Sequence, residues 1–402
     1  MTFSTPGDDA RPLDGITVVT LEHAIAAPFC TRQLADLGAR VIKVERPGAG
    51  DFARAYDARV RGLSSHFVWT NRSKESLTLD VKHPEGQVIL HRLIVERADV
   101  VVQNLAPGAA ARLGVSHERL ASAKPSLVVC DISGYGSDGP YRDRKAYDLL
   151  IQSESGFLSV TGTPDEPAKA GCSIADIAAG MYAYSNILAA LIERGKTGIG
   201  RRIDVSMLES MVEWMGFPLY YAFEGAPPPP RAGAAHATIY PYGPFPVAGG
   251  RTVMLGLQNE REWAAFCNEV LRRPDLVADP RFASNSRRSA ARAELRGIIA
   301  DAFAPLTADE VMARLDAAQI ANASMNDMHD VWAHPQLKSR NRWTEVATQA
   351  GSIPALVPPG QSSSEGARMD PIPALGEHTE AILRDLGYDA RAIEALRREQ
   401  VI

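Results

Sequence analysis

The chain has 402 residues, 45% apolar and 23% charged, the balance of a folded protein of two or three domains. Forty-three basic against 48 acidic side chains leave a net charge of −5, which argues against coating nucleic acid or an anionic membrane. The four cysteines, Cys30, Cys130, Cys172 and Cys267, form no CxxC pair, which argues against a disulfide framework or a zinc site and fits a reducing, cytoplasmic compartment. The opening MTFSTPGDDARP is acidic and has no apolar stretch, so no signal peptide is expected. Apolar runs are broken by charges or amides before they reach membrane-spanning length, and no membrane partner is expected.

In chain order, the first 135 or so residues alternate β-branched runs with helical patterns. GITVVTL (Gly15 to Leu21) reads as a buried strand, Phe29 to Ala39 as a helix and RVIKVE (Arg40 to Glu45) as the next strand. A helix is expected from Gln87 to Ala98, then strands at Asp99 to Asn104 and Ser126 to Ser133. This alternation predicts βαβ units and a mostly parallel sheet, which takes ligands beyond the carboxyl ends of its strands. A helical pattern follows from Ile174 to Ile192, then a strand-like Arg201 to Met207 and a helix through Val212 and Trp214.

APPPPRAGA (Ala226 to Ala234) breaks all periodicity and reads as a stiff polyproline linker. Beyond it a hairpin is expected to turn at Gly249-Gly250, with helical segments from Glu260 to Ala317. The fold class is therefore α/β. Its expected divisions are the first part of a large domain over 1–225, a smaller α+β domain over 228–325, and closing helices over 335–402 that return to the larger body.

GYGSDG (Gly134 to Gly139) matches GxGxxG, yet Pro140 and YRDRK follow where a dinucleotide fingerprint needs a helix to open. A turn, or a glycine loop whose backbone approaches a ligand, is the better reading. There is no HExxH, and the nine histidines form no ligand-spaced cluster, so no metal site is expected. GxSxG is missing because Tyr135 stands two places before Ser137.

What remains is a carboxylate. Ser173-Ile174-Ala175-Asp176 opens an apolar helix with S-x-x-D spacing. That spacing fits a capping box, in which Asp176 reaches back to an unpaired amide. Spacing alone favours the cap, and the same geometry would serve a nucleophile held ionised by the helix dipole. Arg46, Lys82, Arg112 and Lys145 stand where they are either solvated or able to meet a phosphorylated ligand across the sheet edge.

Taken together, these motifs resemble the family III CoA-transferases, of the formyl-CoA:oxalate and carnitine CoA-transferase type. The resemblance runs through DLGARVIKVERPGAGD (Asp36 to Asp51), NRSKESLTLDVKHPEG (Asn71 to Gly86) and QNLAPGAAARLG (Gln103 to Gly114). It continues through ISGYGSDGPYRDRKAYD (Ile132 to Asp148), AGCSIADIAAGMYAY (Ala170 to Tyr184) and LGEHTEAIL (Leu375 to Leu383).

The resemblance implies that Asp176 is the catalytic aspartate. It implies that Arg46, Leu79, Lys82, Asn104, Leu105, Arg112, Lys145 and Tyr147 line a coenzyme A site, and that His23, Ala24 and Ile25 lie near the reacting thioester. Coenzyme A and its thioesters would be substrates, with no tightly bound cofactor. The implied fold is a Rossmann-like large domain and a small domain on long linkers, with two subunits threaded as interlocked rings. The implied chemistry is attack by Asp176 on acyl-CoA to give an anhydride, then an aspartyl-CoA thioester that an acceptor acid resolves.

Gly134, Tyr135 and Gly136 are candidates for stabilising an oxyanion. The glycine-rich loop of formyl-CoA transferase has no counterpart, since LGLQNEREW (Leu255 to Trp263) occupies that region and Ile25 stands where that enzyme has glutamine. The sequence therefore looks more like the succinyl-CoA-dependent dicarboxylate branch. Arg231, His236 and Tyr240 are offered as acceptor-binding groups, against the alternative that Arg231 and His236 anchor the linker. A racemase of the same superfamily is the competing activity, although its histidine would fall at Tyr147.

Overall fold

The computed structural model describes residues 11–361 and 366–402. Six short segments, most of them β-branched, become the strands of one parallel sheet: β1 (Thr17–Leu21), β2 (Arg40–Glu45), β3 (Lys74–Thr78), β4 (Val100–Gln103), β5 (Val128–Ser133) and β6 (Arg202–Ser206). They run in the order β3-β2-β1-β4-β5-β6, every pair parallel, with Val18 opposite both Val41 and Val100. This is the doubly wound order, and the chain reverses direction between β1 and β4. The loops leaving those two strands flank the switch point.

Helix α1 (Ala26–Asp36) starts three residues earlier than the sequence predicts, with Pro28 tolerated in its unpaired first turn. Helices α2 (Pro84–Arg97), α3 (Asp148–Glu154), α4 (Ile174–Thr197) and α5 (Met207–Trp214) follow, and α6 (Thr379–Asp385) and α7 (Ala390–Arg398) close the chain. By length and composition α4 would suffice to cross a membrane, a match the sequence reading does not anticipate. In this fold its small-residue face, Ala175, Ala178, Ala179, Gly180 and Ala183, is buried against neighbours that include α1.

Ile382, Leu383, Leu386, Ile393, Leu396 and Val401 from the closing segment share one apolar cluster with Ile42, Leu77, Ile89 and Ile94. The last helices thus seal the outer face of the sheet, and Thr379 Oγ1 accepts the Thr78 amide at 2.9 Å.

Contacts divide the chain into two units. One comprises residues up to 155, 170–215 and 335 onward; the other comprises 156–169 and 216–334. The sequence reading placed 156–169 and 216–225 with the large body, and they group instead with the second unit. That unit is built on an antiparallel sheet of β7 (Tyr242–Pro246), β8 (Thr252–Gly256) and β9 (Ala321–Ser324). The β7–β8 hairpin turns at Gly249 and Gly250, both with positive φ. Its core gathers Trp263, Phe245, Phe266, Phe282 and Phe303. The helical stretch expected from Glu260 to Ala317 is broken by irregular chain around 277–284.

Polar groups occupy the heart of the parallel sheet. Lys43 Nζ lies 2.8 Å from Asp51 Oδ2 and 3.2 Å from Glu22 Oε1, and all three side chains are fully buried. Lys74 Nζ donates to Glu22 Oε1 at 2.7 Å, to the Pro28 carbonyl at 3.0 Å and to Asn71 Oδ1 at 3.1 Å. Thr20 and Thr31 hydroxyls satisfy Glu22 Oε2 at 2.9 and 2.6 Å.

Burial alone would raise the Glu22 carboxyl, but Lys74 and Lys43 outweigh it and hold it at about 2. Burial lowers the Lys74 amine to about 8 despite the same partners. Two positive and two negative groups balance, so no charge is left uncompensated. Removing one member breaks that balance. Lys43→Met is expected to cost about 3–5 kcal/mol, because Asp51 keeps its charge and loses its partner. Chemical denaturation at neutral pH measures this, and a loss below about 1 kcal/mol would contradict the coupling.

Candidate active site

The turn between β1 and α1 is set by the charges beneath it. Ala24 adopts φ 60, a left-handed conformation that costs a non-glycine residue strain. Asp51 offsets that cost: its Oδ1 accepts the Ala24 amide at 3.2 Å and the Ala53 amide at 2.9 Å while Oδ2 holds Lys43. Across the switch point, Asn104 accepts the His23 amide and donates to the His23 carbonyl, each at 2.9 Å. The loops after β1 and β4 are therefore stitched together. The result turns the first amide of α1, Ala26 N–H, toward Asp176, whose carboxyl it acts to lower.

Asp176 is the third residue of α4. The capping box expected from Ser173 is not formed, since the Ser173 side chain makes no cap bond. The cap comes from another element: Asp148, the first residue of α3, accepts the Ala175 amide on Oδ1 at 2.8 Å. Its Oδ2 accepts Gln152 Nε2 at 2.6 Å, and Gln152 Oε1 accepts the Ala170 amide at 2.9 Å. This clamp fixes the segment leading into α4.

The sequence also predicts an Asp176 held ionised by the helix dipole, and here the balance falls the other way. Burial, reinforced by the Asp148 charge and only partly offset by the Ala26 amide, raises the Asp176 carboxyl to about 7. A neighbouring carboxylate and a dry wall outweigh one hydrogen bond and a helix end.

The remaining candidates distribute as follows. Arg46, Lys82, Arg112 and Lys145 are exposed, on the segments that follow β2, β3, β4 and β5, with Arg112 at the end of a one-turn helix. Leu79 is buried in the core, so only its backbone is available to a ligand, and Leu105 packs partly against the same cluster. Tyr147 is 69% exposed at the start of α3. Ile25 is buried at the N-cap of α1.

No helix opens after Gly139, as Pro140 suggests; the chain stays in turns until Asp148. Gly134 packs so closely on Ala146 that a Cβ would collide with its methyl. The Gly136 amide, a proposed oxyanion donor, is already bonded to Ser133 Oγ at 2.9 Å. Tyr135 sets its ring edge-on to Tyr141.

In the second unit, Arg231 donates to the carbonyls of Thr163 and Pro164, both at 2.8 Å. His236 Nδ1 accepts the Ile239 amide at 3.0 Å, and its ring stacks on Tyr242. These contacts give both residues the linker-anchoring task left open by the sequence. Tyr240, also offered as an acceptor-binding group, is 2% exposed in that unit's core.

Sequence reasoning misses an aromatic run near Asp176. His23 stacks on Phe52, Phe52 meets Tyr56, and Tyr56 sets its edge against His66. Burial, then Asp51, Asp176 and Tyr147, raises the Tyr56 phenol, which places Tyr56 among the groups around Asp176. A one-residue spacing of charged and aromatic positions in FARAYDAR carried no periodic signal for it.

A carboxylate on a helix start, cations at the carboxyl edge of a doubly wound sheet and an aromatic wall define a class: enzymes that work on an activated, phosphorylated acyl carrier. The family model described as CoA-transferase family III matches residues 13–379. A succinate–glutarate CoA-transferase of Agrobacterium fabrum is 36% identical, the match covering 93% of this chain and 96% of that protein. The human succinyl-CoA:glutarate CoA-transferase is 32% identical over 98% of this chain and 91% of its own length. A solved CAIB/BAIF family protein from Brucella suis superposes with a TM-score of 0.83 at 35% identity, covering 94% of this chain and all of that one. The chain belongs to CoA-transferase family III, and it is a CoA-transferase.

The raised carboxyl carries a stability consequence. Between the ordinary value of 3.8 and about 7, the folded protein binds a proton at Asp176 that the unfolded chain does not. This contribution therefore favours folding at low pH and is lost as pH rises through about 7. Asp176→Asn removes the penalty and keeps an oxygen for the Ala26 amide. At pH 8 it should melt at least ~2 °C above wild type, with a smaller gain at pH 5. A gain independent of pH, or none, would contradict the burial.

Proposed function

We propose that this enzyme moves coenzyme A from an acyl-CoA donor, succinyl-CoA in kind, to a short dicarboxylic acid through Asp176. The observation that carries the reading is the place of Asp176 in the first turn of α4, whose entry Asp148 clamps, with a carboxyl that burial and Asp148 raise to about 7. At neutral pH such a group is partly ionised, and its raised basicity makes the ionised form a stronger nucleophile than an ordinary aspartate. Arg46, Lys82, Arg112 and Lys145 offer exposed cations for the phosphates of coenzyme A. The names of the glutarate-dependent relatives support a dicarboxylate acceptor, and they favour transfer over the racemase alternative.

An Asp176 oxygen attacks the thioester carbonyl, the C–S bond breaks, and an acyl-aspartyl anhydride and CoA thiolate form. The thiolate then attacks the aspartyl carbonyl, giving the aspartyl-CoA thioester and releasing the donor acid. The acceptor carboxylate attacks that thioester, and the same two steps in reverse give the new acyl-CoA and free Asp176. Thioester is exchanged for thioester, so the cycle is near balance without other input. Water must be kept from both intermediates.

Asp176→Ala is expected to lose at least ~1000-fold in turnover while still binding coenzyme A. Acyl-CoA followed by hydroxylamine should label Asp176 in the wild type, read by mass spectrometry of the peptide. Near-normal turnover by the alanine variant would end the proposal.

A second copy of the chain belongs to the same reading. Phe217, Tyr220 and Phe223 are 59%, 81% and 64% exposed, a run of bare aromatic surface next to the linker. We propose that a homodimer covers it. Light scattering should give twice the chain mass at micromolar concentration, and a folded monomer there would refute it.

A further inference from the structure

Gly180 stands one turn after Asp176 on the same face of α4, the face buried against α1. A Cβ at this position would fall 2.7 Å from the Ala26 carbonyl oxygen, 3.0 Å from Phe29 Cδ1 and 3.5 Å from Phe29 Cβ. The first of these is backbone in the first turn of a packed helix, anchored from below by the buried charges, and cannot step aside as a flexible side chain would. Ala26 is also the residue whose amide meets the Asp176 carboxylate. Ala26 thus bears on α4 at two points: its carbonyl crowds Gly180 directly, and its N–H acts on the Asp176 carboxyl, lowering it.

We infer that Gly180 is a positioning residue for the transfer reaction: its missing side chain lets α4 close onto the start of α1 so that the Ala26 amide reaches Asp176. This rests on Asp176 being the nucleophile. Helix propensity argues against a glycine here, since glycine is a poorer helix former than alanine in a helix interior. Close approach is the compensating gain. Adding one methyl must either separate the two helices or rotate α4, and both take the carboxylate off its donor. The same helix holds its own control. Gly195 lies near the other end of α4, and a Cβ there would meet nothing within 4 Å.

The test compares Gly180→Ala, Gly195→Ala and Asp176→Ala in the full-length enzyme, with succinyl-CoA as donor and glutarate as acceptor. Gly180→Ala is expected to lower kcat by roughly 10- to 100-fold with the KM for acyl-CoA within about twofold, since a misplacement near 1 Å costs about that much. Loss of the Ala26 hydrogen bond should also move the acid limb of the kcat/KM profile upward by about half a pH unit or more.

Gly195→Ala should keep wild-type kinetics and melt at the same or a higher temperature. In the wild type, the Ala26 amide nitrogen resonance should titrate with Asp176 and stop titrating in Asp176→Asn, a measurement that does not require Gly180→Ala to fold. The inference is overturned if Gly180→Ala keeps wild-type kcat and pH profile, or if the Ala26 resonance ignores the titration. Should Asp176→Ala itself stay active, it is the nucleophile reading that falls.

Discussion

The buried quartet of Glu22, Lys43, Asp51 and Lys74 is the constraint on which the active region depends. Each side chain comes from a different part of the first 75 residues: the end of β1, the middle of β2, the loop beyond it and the start of β3. Charges are expensive to bury, so they hold their positions only where every partner is present. That requirement ties three parallel strands and the β1–α1 turn into one rigid block. The strained backbone at Ala24, the seat of His23 against Asn104 and the aim of the Ala26 amide all follow from that block.

The same lattice explains what the sequence could not disclose. β1, β2, β4 and β5 were legible because their β-branched runs announce buried strands. β3 was not named, because KESLT begins with two charged residues that look solvated. In the fold Lys74 is buried on Glu22, and Glu75 takes Arg40 in a two-pronged pair at 2.9 and 3.0 Å. Pairing across distant strands leaves no trace in local periodicity.

The cap of α4 shows the limit from another side. S-x-x-D spacing predicts that Ser173 and Asp176 serve each other. Asp148 instead caps the helix by accepting the amide of Ala175, 27 residues later, and Asp176 is left to face the first turn of α1. Asp176 stood out as the candidate nucleophile from motif and resemblance. Its protonation was not legible, because that depends on a neighbouring carboxylate and on burial that only the tertiary structure supplies. The linker anchors were similarly half-legible: Arg231 and His236 stood out as polar groups in an apolar stretch, but their backbone partners could not be read from it.

The return of α6 and α7 to the sheet has a consequence for how the protein is made. Ile42, Leu77 and Ile89 leave the ribosome early, whereas Ile382, Leu383, Ile393 and Leu396, which share their cluster, leave it among the last. Between the two events the chain must build the second unit, and for all that time one face of the N-terminal sheet stays without its cover. Contacts of such long sequence separation are slow to form, and bare apolar sheet invites association with other chains. Synthesis of this enzyme therefore has a vulnerable interval as long as the translation of some 300 residues. It ends only when α6 and α7 dock, so a lesion anywhere in the sheet is exposed until that cover arrives.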